Sequence, residues 1–245
     1  HLAPWHKQQA EKASKRSHPH WVAIPNFVDI DLFRPAKNLS EKQECRQRFG
    51  IPRNALVFGS AATIKRPHKR IDYLIEEFSK FASSCSGEDS MPVYLFVCGS
   101  STGESAGLID MAEKCCPGQV KIMTDLPREQ MPDFYRCLDV FVLASLFEMM
   151  PIALLEALAS GLPVVCNRHP VLTWMTDICS MKDSLSCGTA IDMKQDNVLA
   201  DSLASVEDQW MKKARQASRS RAVEAFSTGV VIGRYYDHYQ RVVAW

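Results

Sequence analysis

Several signatures that would assign this chain at once are missing. Its 29 basic and 28 acidic residues leave a formal net charge of +1, so no strong positive field argues for nucleic acid as the partner. No uninterrupted apolar run is long enough to span a bilayer, and no signal peptide is recognisable. No Cys-x-x-Cys pair occurs. The nine cysteines are odd in number and scattered, and the adjacent Cys115-Cys116 suits a regular disulfide framework poorly. Reduced thiols in a cytoplasmic setting are therefore expected. No Gly-x-Gly-x-x-Gly follows the first strand, which argues against a dinucleotide-dependent oxidoreductase. Internal repeats and low-complexity tracts are also absent. What remains is an ordinary globular composition, 46% hydrophobic and 23% charged over 245 residues, with ample core. The chain opens at His1 rather than Met, from which a longer parent protein is expected.

The most informative residues are two acids in the most apolar stretch, Val142 to Cys166. Glu148 and Glu156 stand there among Leu, Ala, Val, Met and Phe. A carboxylate stripped of water costs several kcal/mol or shifts its pKa, so the pair points to a lined cavity rather than a plain core. A membrane span is the competing reading of this run. Two Glu, two Pro and a Gly in one bilayer-length window count against it. The punctuation predicts a strand over 139–145, a loop, a helix over 152–160 and a second strand over 162–167. Pro151 suits the first helical turn and Gly161 the stop. Glu148 then lies on a loop at the carboxyl end of a strand and Glu156 on the next helix. The N–H groups of Ile152, Ala153 and Leu154 are expected to be free at the helix start, a site for phosphate.

Elsewhere strands and helices alternate. Residues 1–17 are helix-compatible, Trp21–Ile24 reads as a short strand, and 25–35 as a loop bracketed by prolines. A helix is expected from Ser40, as N-cap, to Phe49. Strands follow at 56–60, 93–98 and 119–123, interleaved with helices at 70–85, 104–115 and 128–137. A strand near 189–192, helices at 195–206 and 207–226 and an amphipathic helix at 230–243 complete the pattern. Such alternation predicts an α/β fold with a doubly wound, Rossmann-like parallel sheet, whose ligands bind beyond the carboxyl strand ends.

Four motifs in order carry a resemblance. Glu148 to Glu156 forms Glu-x7-Glu, followed by Ala157, Ala159, Gly161 and Pro163-Val-Val165. Ile24-Pro-Asn-Phe-Val-Asp29 looks like a hinge motif, His68-Lys-Arg-Ile-Asp72 like a phosphate-binding segment, and Val97-Cys-Gly99 like the strand end beyond it. From about residue 20 onward the chain resembles the C-terminal, donor-binding domain of retaining GT-B glycosyltransferases of family 4. The resemblance implies one half of a GT-B fold. Residues 1–25 would close a missing N-terminal domain, 26–36 form the hinge, 37–226 the donor-binding domain, and 227–245 a helix packing back toward the missing domain.

The implied activity is transfer of a hexose-type sugar, with retention, from a nucleotide diphosphate sugar to a glycan, lipid or small-molecule acceptor. UDP is the first expectation for the nucleotide, with GDP or ADP as alternatives. No cofactor and no tightly held metal are implied. The acceptor would be met through the N-terminal domain, and the full-length protein would touch a membrane only peripherally. Catalytic roles fall to Glu148, holding the donor sugar, and Lys69, neutralising the departing diphosphate. Glu156 would take the ribose hydroxyls. Backbone around Met149, Met150, Pro151, Ile152 and Ala153 would meet the phosphates, with Gly99 close by. Two departures stand out. Where the family carries an Arg before the lysine this chain has Thr63, with Lys65 and Arg66 on a longer basic loop. The resemblance implies that Thr63 lies at the donor and that either basic residue takes the Arg's place at the diphosphate, or that leaving-group stabilisation is weakened. The family's paired glycines after the second strand are replaced near Arg168-His-Pro-Val171.

Plainer readings stand beside these. Glu156 is alternatively a helix acid paired with a base, and Lys65 to Arg70 a solvated loop. His1, His6, His18 and His20 read as surface scatter, and Lys212 to Arg221 as an exposed helix face. A rival class is a nucleotide-sugar-binding or assembly module without transferase activity.

Overall fold

The computed structural model describes residues 1–85, 91–178 and 186–243. Six strands form one parallel sheet: β1 (Leu56–Ala61), β2 (Val93–Gly99), β3 (Val120–Thr124), β4 (Val140–Leu143), β5 (Val164–Asn167) and β6 (Gly188–Ile191). Their order is β3-β2-β1-β4-β5-β6, so the winding reverses between β1 and β4. That reversal opens a crevice at the carboxyl strand ends, where open α/β sheets take their ligands.

Alternate residues of β2 show why the sheet is covered twice. Phe96 and Cys98 enter one apolar layer, with Phe134, Tyr135, Phe141 and Phe226. Leu95 and Val97 enter the other, with Phe58, Phe78 and Leu74. A strand buried on both faces reads as a continuous apolar run, as this one does. The helices are α1 (Pro4–Ser14), α2 (Leu39–Arg48), α3 (Ile71–Ser84), α4 (Ser105–Cys115), α5 (Met131–Cys137), α6 (Ile152–Ala159), α7 (Pro170–Met175), α8 (Val198–Ala204), α9 (Asp208–Arg221) and α10 (Thr228–Val243). A 3-10 turn at Arg128–Gln130 leads into α5, and a π turn at Ala222–Phe226 follows α9. Gly161 ends α6 at φ +68°, a left-handed position that glycine takes without strain.

Some expectations need correction. Trp21–Ile24 joins no sheet; Ile24 N–H bonds the His1 carbonyl at 2.9 Å instead, so the segment lacks a strand neighbour. Asn38, not Ser40, caps α2, its Oδ1 accepting the Glu41 N–H at 3.0 Å. Ser40 sits inside the helix and donates to Glu44 at 3.1 Å. The short α7 was not foreseen. Its six residues are too few to show periodicity, although His169 caps it and Pro170 opens it. The Lys212 to Arg221 face is only partly solvated: Arg219 donates to the carbonyls of Ile30, Phe33 and Ala159, and Arg221 to those of Trp174 and Met175.

The segment after residue 25 is tied to the chain end. Val28 N–H bonds the Phe226 carbonyl at 2.9 Å, and the Val28 carbonyl accepts the Thr228 N–H at 3.2 Å. Among the described residues no helix is long and apolar enough to cross a membrane. Among the described residues no disulfide forms, and Cys45, Cys98, Cys116, Cys137, Cys166 and Cys187 are buried thiols; Cys179 lies outside the described residues. Burial pushes the Cys98 thiol up to about 12 and Cys45 to about 11, so both stay protonated.

Candidate functional site

Past the carboxyl ends of β1, β2 and β3 lies a cavity of about 250 Å³ lined by Ala62, Thr63, Gly99, Asp125, Tyr135 and Glu156, among others. Gly99 is obligatory there. A Cβ on it would come within 1.7 Å of the Ala62 carbonyl oxygen, so the two backbones close the cavity floor by direct contact. Ala62 N–H bonds the Cys98 carbonyl and Ile64 N–H the Ser100 carbonyl, which fixes the loop after β1 against β2.

Glu156 reaches this cavity from α6. Its Oε2 accepts the Tyr135 hydroxyl at 2.7 Å. Burial raises its pKa, against the Tyr135 hydrogen bond and the nearby Arg128 charge, which lower it. A carboxylate kept short of partners in this way has acceptor capacity left for a ligand. The reading of Glu156 as a helix acid in an ion pair fails, because no ion pair to it forms among the described residues. Tyr135 was not anticipated. The available signal was an aromatic hydroxyl beside Phe134 on a predicted helix, which needs a partner once it is buried.

Lys69 and Glu148 form an ion pair from Nζ to Oε1. Glu148 is only 9% exposed, and its loop is tied to the lysine's loop by Leu146 N–H on the His68 carbonyl at 3.1 Å. On either side of Lys69 the backbone is left-handed, φ +63° at His68 and +52° at Arg70. Non-glycine residues hold that conformation only when the surroundings enforce it, and such strain gathers at functional sites. Arg70 supplies part of the enforcement, donating to the Met193 carbonyl and stacking 3.9 Å over the Tyr73 ring.

The loop from Glu148 to α6 is braced by Asn26, which donates to the Met150 carbonyl at 3.2 Å. Met150 is buried, whereas Met149 is half exposed. Pro151 precedes α6 as its cap residue and carries no N–H. Leu154 N–H turns back onto the Pro151 carbonyl at 3.2 Å, so it is not available as expected. The amides of Ile152 and Ala153 have no protein acceptor among the described residues. Thr63, Gly99, Ala153 and Glu156 thus share one cavity. Arg66 is turned away, paired with Glu104 at 3.4 Å, and Lys65 does not line the cavity.

His6 corrects the surface reading of the His-rich start: it is 9% exposed, and neither ring nitrogen finds a partner. A larger cavity, about 860 Å³, lies at the opposite, amino ends of the strands around Lys42, Arg46, Asp139 and Arg215. Lys42, Arg46 and Arg215 are all engaged there by Asp139, so size alone does not make it the site. Among the described residues no group of three or more His, Cys, Asp or Glu is placed to hold a metal ion.

This geometry can be set beside known proteins. Residues 41–223 match the family described as Glycosyl transferases group 1. The chain belongs to that family. Mannosylfructose-phosphate synthase of Agrobacterium fabrum is 33% identical over 162 residues, covering 63% of this chain and 34% of its own length. An Escherichia coli UDP-Gal:alpha-D-GlcNAc-diphosphoundecaprenol alpha-1,3-galactosyltransferase is 30% identical over 155 residues, 59% of this chain and 36% of that one. The chain therefore spans about a third of the length of the curated relatives it matches. Among solved structures, a glycosyltransferase from Rickettsia africae superposes with a TM-score of 0.80 at 15% identity, over 99% of this chain and 62% of that one. Anabaena HepE in complex with UDP superposes with a TM-score of 0.77 at 18% identity, over 96% and 61%. Six parallel strands flanked by helices, in the Rossmann-like manner of GT-B glycosyltransferases, is thus the fold of this glycosyltransferase-family chain.

Proposed function

We propose that this chain is the C-terminal, donor-binding domain of a retaining GT-B glycosyltransferase of family 4, acting on a nucleotide diphosphate sugar. The observation that carries the reading is Glu156, a partly buried and under-partnered carboxylate lining the cavity at the carboxyl strand ends with Thr63 and Gly99. The Lys69–Glu148 pair, its lysine flanked by strained backbone, joins the loops after β1 and β4 at the same end of the sheet without lining that cavity. Glu156 accepts the ribose hydroxyls. Lys69 has ammonium donors beyond the one Glu148 uses, and these meet the diphosphate together with the Ile152 and Ala153 amides. Glu148 holds the transferred hexose. In the transfer the anomeric C–O bond to the diphosphate breaks, the acceptor hydroxyl oxygen forms the new one, and its proton passes to the leaving diphosphate. The negative charge that builds on the leaving diphosphate falls beside Lys69. Arg66, held by Glu104, leaves Lys69 as the chief cation at the phosphates.

UDP is the first candidate nucleotide, with GDP and ADP as alternatives; that HepE and a relative are named with UDP supports this order. Residues 1–25 would close an N-terminal acceptor domain, 26–36 act as the hinge, and α10 pack toward that domain. The buried free thiols suit a reducing compartment such as the cytoplasm. Thermal unfolding with UDP, GDP and ADP sugars tests the reading. One set should raise the midpoint by several degrees at saturating ligand. The chain alone should transfer no sugar, since the acceptor half is needed to close over the donor. Lack of stabilisation by every nucleotide would contradict the reading, and robust transfer by this chain alone would contradict the half-enzyme part of it.

A further inference from the structure

The backbone between Leu146 and α6 has little to hold it. Leu146 itself is fixed on both sides, its N–H bonding the His68 carbonyl and its carbonyl accepting from Asn167 at 3.2 Å. From Phe147 to Met150, among the described residues, a single backbone group is hydrogen-bonded. It is the Met150 carbonyl, which accepts from Asn26 Nδ2 at 3.2 Å. A carbonyl only accepts, so the Asn26 amide has to present its NH2 there. Asn26 holds the same residue a second time, its backbone N–H lying 3.2 Å from Met150 Sδ. That side chain is 5% exposed and belongs to the apolar layer that includes Leu154 and Leu155.

The peptide plane fixed in this way is the last one before α6. Pro151 has no N–H to anchor it and biases Met150 toward extended backbone. The plane therefore sets how the chain enters the helix, whose first amides, those of Ile152 and Ala153, have no protein acceptor among the described residues. Glu156 lies a turn further on, held by the Tyr135 hydroxyl and flanked by the buried Leu155 and Ala157. Asn26 is a firm support. Two residues before it, Ile24 N–H bonds the His1 carbonyl at 2.9 Å. Two residues after it, Val28 pairs with Ser227 in a parallel bridge just ahead of α10.

We infer that Asn26 is a positioning residue for the donor diphosphate: through the Met150 carbonyl it aims the Ile152 and Ala153 amides at the phosphates. The inference rests on the donor-site reading above and adds a residue from outside the sheet on which the site depends. The hold is on the loop, while Glu156 is fixed separately within α6. Its loss is therefore felt by the phosphates and not by the ribose.

Two substitutions test this. Asn26→Asp keeps the shape but sets a second acceptor against the Met150 carbonyl, and Asn26→Ala removes the group. Calorimetry on the 245-residue chain compares whichever of UDP, GDP and ADP binds wild type most tightly with the matching nucleoside. Both variants should weaken the diphosphate about five- to tenfold and the nucleoside by less than about twofold. Without ligand, the amides of Met149, Met150, Ile152 and Ala153 should exchange hydrogen faster in both variants, with those of β2 unchanged. Equal weakening of the two ligands, unchanged diphosphate affinity, or exchange that quickens along β2 as much as at 149–153 would each overturn the inference. A loss in the Asp variant alone would be repulsion between its carboxylate and the phosphates and would overturn it too. Failure of both variants to fold would make Asn26 a brace of the fold rather than of the site. If wild type binds none of the three diphosphates, the donor-site reading fails first; if it binds one and the variants match it, this inference fails alone.

Discussion

Two partly buried carboxylates at opposite ends of the sheet, Asp139 and Glu156, are treated in opposite ways. At the amino ends, Asp139 accepts from Lys42, from Arg46 at 2.6 Å, from Arg215 at 3.3 Å and from the Val57 amide at 2.9 Å. Burial works to raise its pKa, but Lys42 and Arg46 outweigh it and the net shift is downward. Arg46 is itself satisfied by the carbonyls of Cys137, Arg53 and Ala55. At the carboxyl ends Glu156 has one hydroxyl, and burial wins. The larger cavity lies at the satisfied end and the smaller at the under-satisfied one. Unspent hydrogen-bond capacity marks the site here better than volume does, because a ligand gains only from groups that the fold has not already paired.

Breaking the amino-end network should have the largest effect. Asp139→Ala leaves the buried Arg46 and the partly buried Lys42 without their anion and should cost about 3–5 kcal/mol in urea unfolding. A loss near zero would equate the two ends. The same contrast appears in acid. Because the folded Asp139 pKa is depressed, its contribution is present above the unfolded carboxylate value of about 3.9 and is lost as pH falls through the folded value. Wild-type stability should therefore drop below about pH 4 by more than that of Asp139→Asn.

Next in size is Lys69→Ala. It should weaken UDP by about 1.5–3 kcal/mol and leave uridine nearly unchanged, since a charge-assisted contact to the diphosphate is lost. Calorimetry with both ligands checks this, and equal losses would remove Lys69 from the phosphate role.

The smallest effect sharpens the comparison most. Glu156 has a raised folded pKa, so its ionised form costs stability at neutral pH, and stability returns as pH falls through that value toward the unfolded 4.5. Glu156→Gln, which still accepts from Tyr135, should raise the unfolding midpoint by about 2 °C at pH 7 and flatten that pH dependence. The same variant should bind nucleotide more weakly than wild type. A variant both less stable and unchanged in binding would make Glu156 a structural acid.

Much of this was legible in the sequence, and the misses have a common cause. The strand–loop–helix–strand unit around Glu148 and Glu156 was readable because apolar runs, Pro151 and Gly161 act over a few residues. Lys69 was readable only from the order of motifs, since a basic loop by itself reads as solvated surface. What escaped depends on partners distant in the chain. Trp21–Ile24 has strand-forming residues but no neighbouring strand to pair with. His6 is buried beside Trp5, whose ring meets His169, 164 positions on. Tyr135 is joined to Glu156 across two helices, and Arg66 to Glu104 across a strand. The α2 cap was missed locally, because Asn38 and Ser40 both suit it and only the Glu41 amide decides between them.

The central claim is that ligand enters at the carboxyl ends of the sheet, not in the larger cavity at the amino ends. Amide hydrogen exchange with and without saturating nucleoside diphosphate tests it directly. Protection should rise at 61–70, 98–102 and 149–156, around Lys69, Gly99 and Glu156, and stay unchanged at 53–56, 138–139 and 160–162. Protection gained around Asn54, Asp139 and Gly161 instead would place the ligand at the opposite end and contradict the account.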